Sequence, residues 1–302
     1  MSTIIEQATH VLDMDEHTYH ADPVPAGSLS ASMAKVLIKP GGPAKLRHQL
    51  DNGPQTKRVF DFGHAAHQLV LGKGAPIAVI PANLLASNGA ASTNAAKAFI
   101  DDARNDGATP LKPGEAAQVV AMAEALRNNR DAMEVMGTAG MQHEVSAFAQ
   151  DEQTGVWLRC RFDMIAPTLV GDYKTAANAD PGKFSRTIML ELGYHVQAAH
   201  YLDVAAALGL ADPDAPFKFV VQEKEAPYLV SVITVGTEYL DLGRRDMRRA
   251  INLWAQCTKT DTWPGYTATT ATPPRWAIDD LYADLNPDVE AELLALLGGA
   301  SA

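Results

Sequence analysis

Only two cysteines, Cys160 and Cys257, occur in 302 residues, too few for a disulfide framework or for a four-thiolate zinc or iron–sulfur site. No stretch approaches the roughly 18 uninterrupted apolar residues of a membrane span, and the opening Met-Ser-Thr-Ile-Ile-Glu lacks a basic segment followed by an apolar run, so neither membrane insertion nor secretion is expected. A reducing cytoplasm suits this composition. An excess of base is missing too. The net charge of −11 at first argues against a polyanionic partner, but the distribution of charge changes that reading. Residues 1–23 hold Glu6, Asp13, Asp15, Glu16 and Asp22 with no Lys or Arg, and residues 278–302 hold Asp279, Asp280, Asp284, Asp288, Glu290 and Glu292, again with none. The two ends carry the whole of the net charge, and residues 24–277 are formally neutral. Within that interior, residues 24–60 carry Lys35, Lys39, Lys45, Arg47, Lys57 and Arg58 against Asp51 alone. A solvated helix face accounts for such a run as well as a phosphate-binding patch does.

What is present is a chain that is 47% hydrophobic, enough for one large core or two modest ones. It divides by composition into an acidic segment over 1–23, a folded region over 24–277 and an acidic tail over 278–302. Ser30 is a candidate N-cap for a helix over 31–38, which the Lys39-Pro40-Gly41-Gly42-Pro43 run terminates. A second helix starts near Gly63, with Ala66, Leu69 and Val70 as its apolar stripe and His64, His67 and Leu71 on a neighbouring face; Gly72-Lys73-Gly74 closes it. Residues 83–110 read as a mobile loop with some helix, and 112–136 as one amphipathic helix. From His143 the period changes to two, giving a hairpin through 143–148 and 156–162 around the turn at 150–155. A third strand runs over 168–175, a helix over 183–208, a hairpin through 217–223 and 228–235 around Ala226-Pro227, and a last helix over 237–257. This order predicts an α/β core with a mixed sheet flanked by helices.

Asp172 and Lys174 lie two apart in a predicted strand, so their side chains leave one face with about 6.5 Å between Cα atoms, while Tyr173 points the other way. Asp163 ends the preceding strand, and a return through Ala166-Pro167 brings its carboxylate beside that of Asp172. Two such carboxylates suit a hard divalent cation. An ammonium beside it, that of Lys174, helps acidify a water and offsets charge in a phosphoryl transition state. By itself Asp…Asp-x-Lys is a weak pattern, because charged residues at strand ends are mostly just solvated. His67 alone reads equally as a core histidine, Gln197 and Tyr201 as packing between helix and sheet, and Arg244, Arg245, Arg248 and Arg249 as a solvated helix face or subunit contact. Cys160 alternates with apolar residues and reads as core.

The ordered company of these residues resembles a known family. Gly63-His64-Ala65-Ala66-His67, Leu158-Arg159-Cys160-Arg161-Phe162-Asp163, Gly171-Asp172-Tyr173-Lys174-Thr175 and Gln197 with Tyr201 follow one another as in the RecE-like exonucleases (exonuclease VIII type) of phages and prophages, part of the PD-(D/E)XK superfamily. Ser28-Leu29-Ser30, the segment from Glu223 to Tyr228, and Trp263-Pro264-Gly265-Tyr266 also look like family segments, so the likeness covers nearly all of 28–266. The resemblance implies a restriction-endonuclease-like core. His67, Asp163, Asp172 and the carbonyl of Tyr173 would hold Mg²⁺, or Mn²⁺, and Lys174 would position the attacking water. Glu144 would be an additional acid, and Gln197 and Tyr201 would contact the DNA end. The implied activity is 5′→3′ digestion of one strand of linear duplex DNA by a ring-shaped homotetramer, leaving 3′ tails for a RecT-type single-strand annealing protein. Two alternatives stay open on the same core: a structure-specific or restriction-like endonuclease, and a non-catalytic DNA-binding member. Intact Asp163, Asp172 and Lys174 disfavour the latter. Cas4-like or AddB-like relatives would need a cysteine cluster, which this chain lacks.

Overall fold

The computed structural model describes residues 4–53, 59–72 and 75–283. Lys57 and Arg58 of the basic run, Lys73 and Gly74 of the helix-closing run, the side chain of His64 and the tail from residue 284 lie outside the described residues. A short strand, β1 (Thr9–Val11), and a turn of helix, α1 (Glu16–His20), precede β2 (Ser28–Ser30). Ser30 then caps α2 (Ala31–Leu37), its hydroxyl accepting the Met33 N–H, which is the N-cap the sequence indicated. The proline-glycine run turns the chain into α3 (Gly42–Asn52), and α4 (Val59–Leu71) carries Gly63 and His67.

The next segment departs from the sequence reading. A parallel pair, β3 (Ile77–Val79) and β4 (Thr109–Leu111), brackets a twelve-residue α5 (Asn94–Asn105) where a loop with some helix was expected and no strand. Its buried stripe, Ala96, Ile100 and Ala103, is mostly alanine and too faintly apolar to stand out in a polar segment. The single helix expected over 112–136 is two, α6 (Pro113–Arg127) and α7 (Arg130–Met136). Asn129 breaks it by accepting the Ala132 N–H as an N-cap, the local alternative to helix that Asn offers a backbone.

β5 (Gln142–Gln150), β6 (Trp157–Ala166) and β7 (Leu169–Ala176) follow as an antiparallel meander. The helix expected over 183–208 is also interrupted. Short turns α8 (Pro181–Lys183) and α9 (Met189–Glu191) flank a π-helical turn at Phe184–Ile188, and α10 (Tyr194–Ala207) starts only after Gly193, whose φ of +65° ends the preceding turn. The hairpin of β8 (Phe217–Glu223) and β9 (Val230–Thr234) contains a cis Ala226-Pro227 bond, and α11 (Thr237–Thr260) completes the unit spanning residues 1–265. Residues 266–302 form a separate unit, in which α12 (Arg275–Ala283) is described. Among the described residues no helix is long and apolar enough to cross a membrane.

The sheet order is β1-β5-β6-β7-β8-β9, with β2 also on β6; β7–β8 and β2–β6 are parallel and the other pairs antiparallel. The acidic N-terminal segment is thus part of the sheet, since β1 extends it on β5 and Tyr19 is buried against Phe148. One face packs on α10, through Phe162, Val170, Phe217 and Phe219 against Ala198, Leu202 and Ala205. The other packs on α4, α6 and α7, through Met164, Tyr173 and Val220 against Ala66, Met122 and Val135. Gly243 lets α11 cross α10 closely, because a Cβ there would overlap the His195 carbonyl.

The edge of β6 away from β5 is shared by two partners. Trp157–Arg159 pairs with β2 and Met164–Ala166 with β7, leaving 160–163 without a ladder on that edge. Near one end of this gap sits a buried ion pair. Arg159 lies 2.5 Å from the Asp22 carboxylate and donates to the Ser28 carbonyl and hydroxyl, both at 2.8 Å, while Asp22 accepts the Ser28 N–H at 2.7 Å. Removing Asp22 leaves a guanidinium buried without its counter-charge. Asp22→Ala should therefore lose about 3–5 kcal/mol in urea unfolding, and Asp22→Ala with Arg159→Met should recover much of it; a single-variant loss below about 1 kcal/mol, the scale of an exposed pair, would refute the role given to this contact.

Candidate active site

Strand register alone sets three acids in a row. The pairs His143 with Met164 and Val145 with Phe162 place Glu144 opposite Asp163, and the pair Met164 with Gly171, extended by one residue, places Asp163 opposite Asp172. The second ladder stops there. The Asp163 carboxylate reaches between the strands and accepts the Tyr173 N–H at 2.8 Å, so β6 and β7 part at this point. Side-chain direction reverses at the same row: Phe162 belongs to the core under α10 and Met164 to the core under α4, although strict alternation would give them one face. The reversal coincides with Glu144, whose φ of +56° lies in the left-handed region. A β-branched or bulky side chain seldom adopts it, and such strain in a strand commonly re-aims a side chain at a functional site.

Across the opening, α4 presents His67. Its Nε2 lies 2.9 Å from the Tyr173 carbonyl oxygen and 3.4 Å from Asp163 Oδ2, and its Nδ1 lies 3.8 Å from Glu144 Oε1. Glu144 is held from behind by Arg161, whose Nε is 2.6 Å from Oε2 and whose Nη1 bonds the Ser146 hydroxyl and the Met14 carbonyl. On the α10 side of the sheet, Asp172 is buried, its Oδ1 accepting from Gln197 Nε2 at 2.6 Å and its Oδ2 lying 2.5 Å from Lys174 Nζ. That second contact is an ion pair without hydrogen-bond alignment, which leaves Oδ2 with an unused lone pair. Tyr173 locks the centre of the row, its ring turned into the α4 core, edge-on to His67, and its hydroxyl donating to Gln222 at 2.6 Å.

These contacts shift the site's protonation. Burial opposes charge on His67, but the Asp163 carboxylate and the hydrogen bond to Glu144 outweigh it and push the imidazole up to about 9. Burial, then the facing charge of Asp172, pushes the Asp163 carboxyl up to about 7 against the pull of His67 and Lys174. Burial also opposes charge on Lys174, yet Asp172 and Asp163 push it up to about 12. Glu144 is held below its ordinary value, because hydrogen bonds from His67 and Arg161 overcome its burial.

One ligand atom each from His67, Glu144 and Asp163 falls within a 4.8 Å group that could hold a metal ion. Asp172, whose charge acts on both Asp163 and His67, supplies a further carboxylate close to this group. Carboxylates favour Mg²⁺ and the imidazole tilts the set toward Mn²⁺. The expected ligand set is therefore placed differently in detail. Glu144 lies in the tight group, whereas Asp172 faces Lys174 and Gln197, and the Tyr173 carbonyl oxygen lies 2.9 Å from His67 Nε2. Gln197 Nε2 donates to Asp172, and Tyr201 packs edge-on to Phe162 and Phe217. Three arginines of the 244–249 cluster are paired with acids: Arg244 with Asp203, Arg245 with Asp246 and Arg248 with Asp151.

Sequence reasoning placed Arg161 in the strand motif and Lys35 in the basic run over 24–60 but gave neither a role at the site. Arg161 could have been found from its place two before Asp163 on the strand and opposite Ser146. Lys35 sits four residues after buried Ala31 on α2, at the edge of an apolar stripe where a lysine is out of place.

The raised values carry a sign that can be checked without substrate. A group that binds its proton more tightly folded than unfolded contributes stability that is complete below its unfolded value and lost as pH rises through its folded one. For Asp163 that window runs from 3.8 to about 7, and for His67 from 6.5 to about 9. Lys35, lowered to about 8 by burial and by the charge of Lys174, acts in the opposite sense only above that value. In chelator the thermal midpoint should fall from pH 6 to pH 8, and added Mg²⁺ should raise it more at pH 8 than at pH 6, since the cation competes for the sites of those protons. A midpoint rise with Mg²⁺ that is equal at both pH values would contradict this assignment.

Comparison with known proteins agrees with the geometry. Residues 30–272 match the family described as a PDDEXK-like domain of unknown function (DUF3799), and no curated protein matches the chain. Among solved structures, a crystal structure named "Putative exonuclease" from Eubacterium rectale covers 91% of this chain and 100% of its own, with a TM-score of 0.57 at 14% identity; at that identity the likeness speaks to the fold alone. SSO0001 covers 81% of this chain and 94% of its own at 10% identity, but its TM-score of 0.28 carries no argument. The family match spans β5 to β9, the helices that flank them and every residue of the candidate site, and the chain accordingly belongs to the PDDEXK-like DUF3799 family.

Proposed function

We propose that this protein is a metal-dependent exodeoxyribonuclease that digests linear double-stranded DNA in the 5′→3′ direction. The observation that carries the reading is the meeting of His67, Glu144, Asp163, Asp172 and Lys174 where β6 and β7 part. In this reading His67, Glu144 and Asp163, with Asp172 facing them, would hold Mg²⁺ or Mn²⁺, whose chemistry when bound is to acidify a water and polarise a phosphoryl oxygen. Lys174 remains charged beside Asp172 and so does not act as a base. Its ammonium orients the attacking water and stabilises charge growing on the phosphoryl oxygens. Gln197 keeps Asp172 aimed at that ammonium, and Arg161 does the same for Glu144. A contact of Tyr201, one turn beyond Gln197, with the DNA end rests on the resemblance of the motif, its ring being packed on Phe162 and Phe217. The direction of digestion, the 3′ tails passed to a RecT-type annealing partner and the ring-shaped tetramer rest on the resemblance of the motifs to RecE-like enzymes.

The test is digestion of linear duplex DNA labelled at either 5′ or 3′ ends, beside a closed circle of the same sequence. Early release of 5′ label from the linear form alone, abolished by chelator and reduced on the order of a hundredfold or more in Lys174→Ala, is the expected result. Cutting of the circle would replace this reading with an endonuclease, and binding without cleavage would replace it with a DNA-binding member.

A further inference from the structure

Lys35 is built into the edge of the site. Its aliphatic stem lies across Gly193, where a Cβ would come within 2.6 Å of Lys35 Cδ, so the lysine takes this path over a residue without a side chain. Its ammonium stands 5.4 Å from the Tyr194 ring centroid, and the Lys174 ammonium stands 5.1 Å from the same ring. That ring is itself fixed, stacked on Phe184 at 5.6 Å and packed on Phe219 at 5.3 Å. Two cations thus lie against one fixed aromatic ring. Lys174 is neutralised by Asp172; Lys35 has no carboxylate within ion-pair distance among the described residues, although it is half-buried. A partly desolvated ammonium with no counter-ion is a binding site for an anion.

The arrangement continues outward. One turn beyond Lys35, Lys39 is near enough for its charge to act on Lys35, and it lines a cavity of about 500 Å³ together with Val36, Ala44, Lys45, His48 and Gln49. No carboxylate is among these walls. Lys174, Lys35, Lys39 and this cavity therefore succeed one another along α2 and the start of α3 as a line of positive charge on a protein whose net charge is −11.

We propose that Lys35 and Lys39 form a track that holds successive phosphates of the nucleic-acid backbone, leading from the reaction centre beside Lys174 to the cavity between α2 and α3. The proposal rests on the nuclease reading for the identity of the anion, and it adds the path that the substrate strand takes across the surface. Locally concentrated cations suffice for this, because phosphate attraction is short-ranged at physiological salt.

The experiment measures binding of a fluorescently labelled duplex oligonucleotide to the full chain with Ca²⁺ in place of Mg²⁺, across a salt series, together with steady-state cleavage in Mg²⁺. Lys35→Ala and Lys39→Ala should each lower the slope of log affinity against log salt by about one and raise KM about tenfold, with kcat changed much less. Lys35→Arg should retain most of the affinity. Lys97→Glu, an exposed change on α5, makes a larger change in net charge and should leave the slope alone. If the wild type cuts DNA but the slope and KM are unmoved in both alanine variants, or move as much in Lys97→Glu, the track is wrong and the nuclease reading stands. If Lys35→Ala loses kcat alone, Lys35 is packing for Tyr194 and the track is equally wrong. A wild type that neither binds nor cuts DNA overturns the nuclease reading and the track with it.

Discussion

The acceptance of the Tyr173 N–H by the Asp163 carboxylate is the contact on which the candidate site depends. A side chain there takes a donor that a neighbouring strand would otherwise use, so the β6–β7 ladder ends one pair short of the acids. Were the ladder to continue, Asp163 and Asp172 would be ordinary cross-strand neighbours, and two like charges in that position repel. Parting the strands instead makes an opening into which His67 enters from α4 and Lys174 from the α10 side. The strained backbone of Glu144 lies in the same row. Parting and reversal together let groups belonging to opposite faces of the sheet address one point.

The electrostatic consequence is a small buried set of charges that nearly balances without a cation. His67, Lys174 and Arg161 stand against Glu144, Asp163 and Asp172, and the raised His67 and Asp163 show protons retained at the acids' expense. A divalent cation held there would substitute for those protons rather than fill a charge deficit. Desolvation works in the same direction, since neutralised or paired groups are the ones a dry site tolerates. Beyond this set, acid and base are sorted by place. Arg244, Arg245 and Arg248 on α11 are paired with acids, whereas Lys35 on α2 and Lys39 just beyond it have no ion-pair partner among the described residues.

Much of the architecture was legible in the sequence because it follows from local rules. The change to period two at His143, the return through Ala166-Pro167 and the hairpin around Ala226-Pro227 mark the central strands, and Ser30 marks the start of α2. The failures were equally local in cause. Asn129 capped a helix of its own, Gly193 split another, and α5 hid its buried stripe in alanine. At the site, spacing within β7 was enough to put Asp172 and Lys174 on one face and Tyr173 on the other. It could not say that Gln197 would bond Asp172, or that Glu144 would join His67 and Asp163 in one tight group, because neither depends on spacing within one element.

By itself, then, the sequence determined the chemical inventory and the strands that carry it: three acids, a histidine and a lysine, with no thiolate set and no long apolar run. Periodicity and turn residues act over a few positions, and a single chain carries them in full. Tertiary structure alone decided which acids share a point, where the sheet opens and how Lys35 comes to stand beside Lys174. Those outcomes depend on register between strands, on one side chain taking another strand's donor and on the absence of a Cβ at Gly193, contacts between residues far apart in the chain whose partners no local pattern records.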